Sequence, residues 1–212
     1  MRKQWMKKVW TLLLSVLVLL TLCACEPREV DANEKPVIYL YPETETRVTV
    51  KLDLSGELTC TYPAYDGGWV VTAAPDGTLT DEHGQTYNYL YWEGEGTEAY
   101  DFSKGFCVAG SDTAAFLEDA LDRLGLTRRE ANEFLVYWLP RMQDNPYNLI
   151  AFQQEAYTES AKLTVSPRPD SVLRVFMAWK PLARPVDIPA QILPGFERRG
   201  FTLVEWGGAE VR

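Results

Sequence analysis

Arg47-Val-Thr-Val-Lys-Leu-Asp-Leu54 is the stretch that decides the fold class. Its four aliphatic residues occupy every second position, which is the period expected of a strand with one buried face. Ser55-Gly56 then turns the chain, and Leu58, Cys60 and Tyr62 continue the same alternation. The stretch therefore predicts two strands joined as a β-hairpin.

Further short strands are predicted on both sides of this hairpin. Upstream, Lys35-Pro-Val-Ile-Tyr-Leu-Tyr-Pro42 is an apolar run bounded by prolines, which suits a first or edge strand. Downstream, residues 69–73 and 85–92 have strand composition, with a turn signal at Pro75-Asp76-Gly77 between them. Four or five short strands indicate an antiparallel, sandwich-like layer over residues 35–96.

A helical period follows the strands. Ser111 or Asp112 is placed to cap a helix that runs to about Leu124, and Gly125 is a natural residue to end it. Thr127-Arg-Arg-Glu130 has the spacing of a capping box and opens a second helix. These signals predict a helical hairpin.

The pattern then returns to strands. Residues 147–153 and 162–165 are candidate strands, and Val172-Leu-Arg-Val-Phe-Met-Ala-Trp179 is almost wholly apolar, as a central strand would be. A proline-rich crossing segment leads to a predicted short helix at 194–199 and a last strand at 201–206. The fold class is therefore α+β.

The first 25 residues have the layout of an export signal. Basic residues between Arg2 and Lys8 precede an apolar stretch from Val9 to Leu22, which is shorter than the roughly 20 residues of a membrane-spanning helix. Leu22-Cys23-Ala24-Cys25 resembles the lipobox of bacterial lipoproteins. An ordinary secretory signal with a chance cysteine is the alternative.

The lipobox resemblance implies a location for the protein. The thiol of Cys25 would carry acyl chains after removal of the signal peptide (1–24), and these chains would hold the protein on the extracytoplasmic face of the cell membrane. Residues 25–34 would form a polar tether, 35–96 the β-rich part and 97–212 an α+β part with the helical hairpin. One continuous domain over 35–212 is the alternative division.

Charge limits the partners that such a protein can bind. Without residues 1–24, which hold four basic residues and no acid, the chain has 17 basic and 30 acidic residues and a net charge of −13. Because this surface would repel polyanions, we expect no nucleic-acid partner. Cell-wall glycan, a peptide or another envelope protein remain candidate partners.

Cysteine and histidine usage gives two further expectations. Cys60 and Cys107 are a possible disulfide in an exported protein, with two buried free thiols as the alternative. His83 is the single histidine and lies in a turn-like stretch, so neither a Cys/His metal site nor a histidine-based hydrolase is expected. No cofactor is implied.

Five segments spread over the chain carry a family resemblance. They are Lys35–Pro42, Asp101-Phe-Ser-Lys-Gly-Phe106, Val136-Tyr-Trp-Leu-Pro-Arg-Met142, Val172-Leu-Arg-Val-Phe-Met-Ala-Trp-Lys180 and Gly200-Phe-Thr-Leu-Val-Glu-Trp-Gly-Gly208. Through them the chain resembles a family of uncharacterised secreted lipoproteins of Firmicute-type bacteria. The resemblance implies a lipoprotein and supplies no catalytic residue.

Two Trp-Glu-Gly-type elements are the candidate ligand-binding residues. Trp92, Glu93, Glu95 and Asp101 belong to the first element and its glycine-rich continuation, and Glu205-Trp206 begins the second. Aromatic faces beside carboxylates suit a sugar or a cation, and the acids could alternatively hold Ca²⁺. The other interpretation is that the aromatics are core and the acids solvated.

The residues favour a binding or interaction module at the cell envelope. No Gly-x-Ser-x-Gly or phosphate-binding glycine loop is present, and enzymatic activity is not favoured. One alternative is a hydrolase of wall material that uses two of the four carboxylates, which requires them to face one cleft. The other alternative is a purely structural envelope lipoprotein.

Overall fold

The computed structural model describes residues 32–96, 99–153 and 155–211, with side chains from Glu34 onward. The strands are β1 (Ala32–Tyr41), β2 (Thr46–Leu54), β3 (Gly56–Tyr62), β4 (Trp69–Ala73), β5 (Leu79–Thr80), β6 (Thr86–Tyr87), β7 (Leu90–Gly96), β8 (Phe106–Ala109), β9 (Tyr147–Phe152), β10 (Ala161–Ser166), β11 (Ser171–Leu182) and β12 (Thr202–Glu210). The helices are α1 (Thr113–Leu124), α2 (Arg128–Met142) and α3 (Glu155–Ser160).

The strands form two sheets. The larger has seven strands in the order β3-β7-β1-β12-β11-β9-β8, and the smaller has five in the order β10-β2-β4-β5-β6. All pairs are antiparallel except β11 with β12, which run parallel. The α+β class is confirmed, and β11 lies inside the larger sheet as its apolar sequence predicted.

The larger sheet has a different core on each face. On one face, Ile38 and Leu40 of β1 pack with Val48, Val50 and Trp69 of the smaller sheet. On the other face lie the two long helices, whose apolar stripes meet side chains of β1, β9, β11 and β12. A side chain of β1 or β12 is therefore buried against either the smaller sheet or the helices, according to its position in the alternation.

The helical hairpin forms at the predicted residues. The N–H of Thr127 donates to the Glu130 carboxylate at 2.7 Å, and the N–H of Glu130 donates to the Thr127 hydroxyl at 3.4 Å, which completes the capping box. Gly125 ends α1 at φ 95°, where residues with a Cβ are strained. Asp112 occupies the N-cap position of α1, but its side chain makes no capping hydrogen bond.

Two predictions of pairing and local structure are wrong. β2 and β3 do not form a hairpin, because the chain passes at Ser55 from the smaller sheet to the larger one, where β3 pairs with β7. Residues 194–199 are not helical; this mostly exposed segment has no regular secondary structure. The proline-bounded run is the first strand, as predicted, and β1 lies inside the larger sheet between β7 and β12.

The predicted division at residue 96 does not separate the sheets. Strands from before and after it pair in both, as β1 with β12 and β2 with β10. β1 also begins at Ala32, so the last residues of the predicted tether belong to a strand. The predicted signal peptide and Cys25 lie outside the described residues.

Cys60 and Cys107 do not pair with each other. Cys60 is a free, exposed thiol on β3, and Cys107 is a free, half-buried thiol on β8. These strands are the opposite edges of a seven-stranded sheet, so six spacings of about 4.8 Å separate them. A disulfide needs Cα atoms closer than about 7 Å, and the proposed bridge is therefore excluded in this fold. The alternative of two buried thiols is also incorrect, because Cys60 is exposed.

Candidate ligand-binding site

The larger sheet places Glu205 and Trp206 on opposite faces. Val204 and Trp206 belong to the helix-facing core, whereas Leu203 and Ala209 belong to the core between the sheets. Glu205 shares the face of Leu203. The two neighbours in sequence thus serve two separate cores.

Trp92 and Glu205 meet in the core between the sheets. The indole Nε1 of Trp92 donates to Glu205 Oε1 at 3.1 Å, and Arg174 Nε donates to Glu205 Oε2 at 2.5 Å. Trp92 and Glu205 are completely buried, and the Arg174 side chain is 9% exposed. The two Trp-Glu-Gly elements therefore contact each other through these residues, but the contact is buried out of reach of a ligand.

Arg174 and Tyr157 complete this buried group. The Arg174 guanidinium lies 4.7 Å from the centre of the Tyr157 ring, which stacks on Phe176. Burial alone would lower the pKa of Arg174, but Glu205 and Tyr157 together outweigh it and leave that pKa raised. Burial raises the pKa of Tyr157 well above its ordinary value. The arrangement is a charge-neutral structural pair and holds the Glu205 carboxylate away from solvent.

The other predicted carboxylates are dispersed. Glu93 and Glu95 point to the helix-facing side of β7, where Glu93 accepts from the N–H of Lys35 at 3.3 Å and Glu95 is exposed. Asp101 is exposed and accepts from the N–H and the hydroxyl of Ser103, which holds the pKa of its carboxyl below the ordinary value. Glu205 lies on the other face of the sheet.

The positions of these carboxylates bear on two functions proposed for them, glycosidic-bond cleavage and Ca²⁺ binding. Cleavage by two carboxylates requires both to face one cleft, and Glu205 cannot share a cleft with Glu93 through the sheet. Within the described ranges, no three Asp, Glu, His or Cys residues converge as metal ligands, which gives the calcium interpretation no structural support.

Lys35 is the centre of a cluster of tyrosine and glutamate side chains, and Glu93 is the one member that was predicted from the sequence. Its ammonium lies 5.2, 5.1 and 5.8 Å from the ring centres of Tyr89, Tyr91 and Tyr137. Its Nζ also donates to the Tyr89 hydroxyl at 3.4 Å. We name this group, with Glu34 and Glu93, the Lys35 cluster. Aromatic faces around an ammonium attract it through their negative π-systems.

Lys35 occupies a backbone conformation that is rare for its type. Its φ is 56°, in the left-handed region. In the described part of the chain, every other residue with a positive φ is a glycine. The conformation accompanies a bulge in β1, where the register with β12 shifts between Glu34 and Val37. Such local strain is concentrated at functional sites, and here it directs the Lys35 side chain towards the tyrosines.

Carboxylates and a second cation surround the cluster. The Tyr137 hydroxyl donates to Glu34 at 3.0 Å, and Arg141 lies 3.8 Å from the same carboxylate. The Arg141 guanidinium also stacks 4.1 Å from the Tyr137 ring centre. Burial first, and then Glu93, raises the pKa of the Tyr91 phenol. Burial, with Glu34 next, raises that of Tyr137. Both phenols therefore stay protonated donors.

An open cavity of about 300 Å³ adjoins the Lys35 cluster. It is lined by Lys35, Tyr89, Asn132, Glu133, Val136 and Tyr137. Val136 is 68% exposed and Asn132 is also exposed, so the cavity wall formed by α2 faces solvent. The cavity thus combines aromatic surface with an ammonium, an amide and a carboxylate, which is the composition of a small-molecule site.

Of the residues in this site, the sequence patterns predict Glu93 and do not predict the others. Lys35 lies in the proline-bounded box that was singled out as a strand, and Tyr89 immediately precedes the Tyr-Trp-Glu stretch. Tyr137 and Arg141 belong to the Val136–Met142 segment. The positive φ at Lys35 has no sequence signal, so nothing marked it as the centre.

The fold and site define an α+β protein with an aromatic, lysine-centred surface cavity, and one relative can be compared with it. An "uncharacterized protein in bglA 3′ region" from Butyrivibrio fibrisolvens is 53% identical over 64 residues. The match covers 29% of this chain and 66% of that protein, slightly under two thirds of its length. No protein-family model and no solved structure matches the chain.

None of the described helices is long and apolar enough to cross a membrane.

Proposed function

We propose that this protein is a lipid-anchored binding module of the cell envelope and that the Lys35 cavity binds cell-wall glycan. The two sheets, as a sandwich-like scaffold, present the cavity next to the strand that follows the tether. The observation that carries the proposal is the cavity of about 300 Å³ at which Lys35, Tyr89 and Tyr137 converge with the Asn132 amide. Stacking tyrosines and fixed polar groups together recognise a sugar ring.

The mixed charge of the site supports a neutral or zwitterionic glycan. Lys35 and Arg141 are balanced by Glu34 and Glu93 around the tyrosines, and Glu133 lies 3.8 Å from Arg129. A strongly charged ligand would leave one of these signs uncompensated near the ring faces. An amide-bearing sugar, by contrast, can bond to both the lysine and the Glu133 carboxylate.

Sedimentation with purified wall material tests the proposal. Tyr89→Ala removes a stacking face, and we expect the apparent Kd for wall material to rise at least about fivefold, since one aromatic contact contributes roughly 1 kcal/mol. Tyr147→Ala is the matched control, because Tyr147 is also half-buried but lies on β9, three strands from β1. Equal losses in both variants, or no loss in either, would refute the Lys35 cavity as the site.

The membrane anchor is tested separately. We expect Cys25→Ser to abolish partitioning into detergent and cleavage after residue 24, because the acyl chains supply the membrane affinity. Retention and processing unchanged from the natural protein would contradict the anchor, whatever the outcome of the wall-binding measurement.

A further inference from the structure

The first half of β11 has an open edge. β11 spans Ser171–Leu182 and pairs with β12 from Ser171 to Trp179, but β9 covers it only from Met177 to Leu182. Residues 171–176 therefore have a strand on one side and none on the other. An unpaired strand edge offers backbone donors and acceptors to another chain.

The orientation of these backbone groups follows from the neighbouring hydrogen bonds. The N–H of Gln153 donates to the carbonyl of Phe176 at 2.8 Å, so the backbone of Phe176 faces the β9 side. The N–H of Ser171 donates to Phe201, which precedes β12. Since alternate residues point the same way, the N–H and C=O of Val172 and Arg174 face the open edge. Within the described ranges they have no backbone partner there.

A second cavity lies along this open edge. It has a volume of about 300 Å³ and is lined by Val172, Leu173, Arg174, Glu155, Thr158, Pro194, Gly195 and Phe196. α3 belongs to the face of the smaller sheet, through Tyr157, whereas Phe196 packs on the helix-facing core. The cavity is therefore a slot in the plane of the sheet, with α3 above and residues 194–196 below.

We propose that the slot binds an extended, cationic peptide, which adds to the larger sheet beside β11. The stretch from Val172 to Phe176 spans about 13 Å, enough for four to five residues of a strand. Backbone pairing to Val172 and Arg174 supplies the affinity in this mode of recognition. Val172, which is 48% exposed, and Phe196 offer apolar contacts. The charge of Arg174 is already neutralised by Glu205, so Glu155 leaves the slot acidic and suited to a basic side chain.

The probe is the blocked pentapeptide Lys-Val-Thr-Val-Lys, titrated calorimetrically into the full chain. Val172→Pro removes one outward N–H while leaving the inward β12 ladder intact, which proline tolerates at an open edge. We expect this variant to weaken binding at least tenfold. The matched Val172→Thr variant keeps the N–H, and we expect a change of less than twofold.

Two further measurements test the slot independently of Val172→Pro. Thr158→Trp fills the slot from the side of α3 and should abolish binding, whereas Thr158→Ser should not. A probe N-methylated on alternate residues loses its backbone donors and should bind at least tenfold more weakly to the unmodified protein. No saturation by about 1 mM of the unmodified probe, or equal binding of its N-methylated form, would overturn the proposal.

Discussion

At the residue scale, Glu205 brings a carboxylate into the core between the sheets. It is completely buried, and both of its oxygens are hydrogen-bonded, one to Trp92 and one to Arg174. Loss of one partner of such a pair leaves an uncompensated buried charge. We therefore expect Glu205→Leu to lower the free energy of unfolding by about 3–5 kcal/mol, as measured by urea denaturation.

The double variant Glu205→Leu with Arg174→Leu is the control for that measurement. Because it removes both charges, we expect it to be more stable than Glu205→Leu alone. A double variant less stable than either single variant would contradict the interpretation of the pair as charge-neutral packing.

Two substitutions at Lys35 separate the effect of backbone strain on stability from the effect of losing the ammonium on binding. Lys35→Ala and Lys35→Gly both remove the ammonium, but glycine adopts the left-handed conformation at φ 56° without the clash of a Cβ. We expect the glycine variant to be more stable than the alanine variant by about 1 kcal/mol in thermal or urea unfolding. Equal stabilities would show that the strain at this position is negligible. Both variants should lose wall binding equally.

At the element scale, the start of α2 carries two interactions at once. Glu130 completes the capping box with Thr127 and also accepts two hydrogen bonds from Arg198, at 3.1 and 2.5 Å. Arg198 further donates to the carbonyl of Gly125 at 3.0 Å. The same residues thus end one helix, begin the next and hold the 194–199 segment against the hairpin.

The two functions of Glu130 predict an order of stabilities. Thr127→Ala removes only a cap and should cost about 1 kcal/mol of unfolding free energy. Glu130→Gln should cost more, because it also leaves the Arg198 guanidinium without its counter-ion. A cost for Glu130→Gln equal to or below that for Thr127→Ala would contradict the joint role.

Local signals explain which elements the sequence predicts well. The capping box at Thr127 and the glycine at 125 act within a few residues, so both helices of the hairpin have the predicted bounds. Strand pairing depends on distant partners: nothing near Ser55 indicates that β3 joins β7 rather than β2. The candidate site was likewise beyond prediction, since Lys35, Tyr89 and Tyr137 come from three elements.

At the scale of the whole molecule, the two faces of the larger sheet separate the buried Trp92–Glu205 group from the proposed binding site. Trp92 and Glu205 lie in the core between the sheets, whereas the Lys35 cluster lies on the helix-facing side. Alternation along β7 and β12 makes this separation, because neighbouring residues must point to opposite faces. The neighbouring residues Trp92 and Glu93 therefore belong to different groups, Trp92 to the core between the sheets and Glu93 to the Lys35 cluster.

The tyrosine phenols on the helix-facing side predict that the protein loses stability at alkaline pH. Burial raises the pKa of Tyr39, and the hydrogen bond to Glu133 raises it further. The pKa values of Tyr91 and Tyr137 are also raised. Groups with raised folded pKa contribute stability fully below the unfolded value of about 10 and lose it as pH rises above that. We expect the free energy of unfolding to fall above about pH 10, and Tyr39→Phe to reduce the slope. A pH-independent stability there would contradict these directions.

The central claim is that the Lys35 cavity is the recognition surface, and amide chemical shifts measured during titration with soluble wall-glycan fragments test it most directly. The account predicts saturable shifts at Lys35, Tyr89, Asn132 and Tyr137, which share one cavity although they are distant in sequence. Shifts confined to other surfaces, or none at saturating fragment concentration, would contradict it.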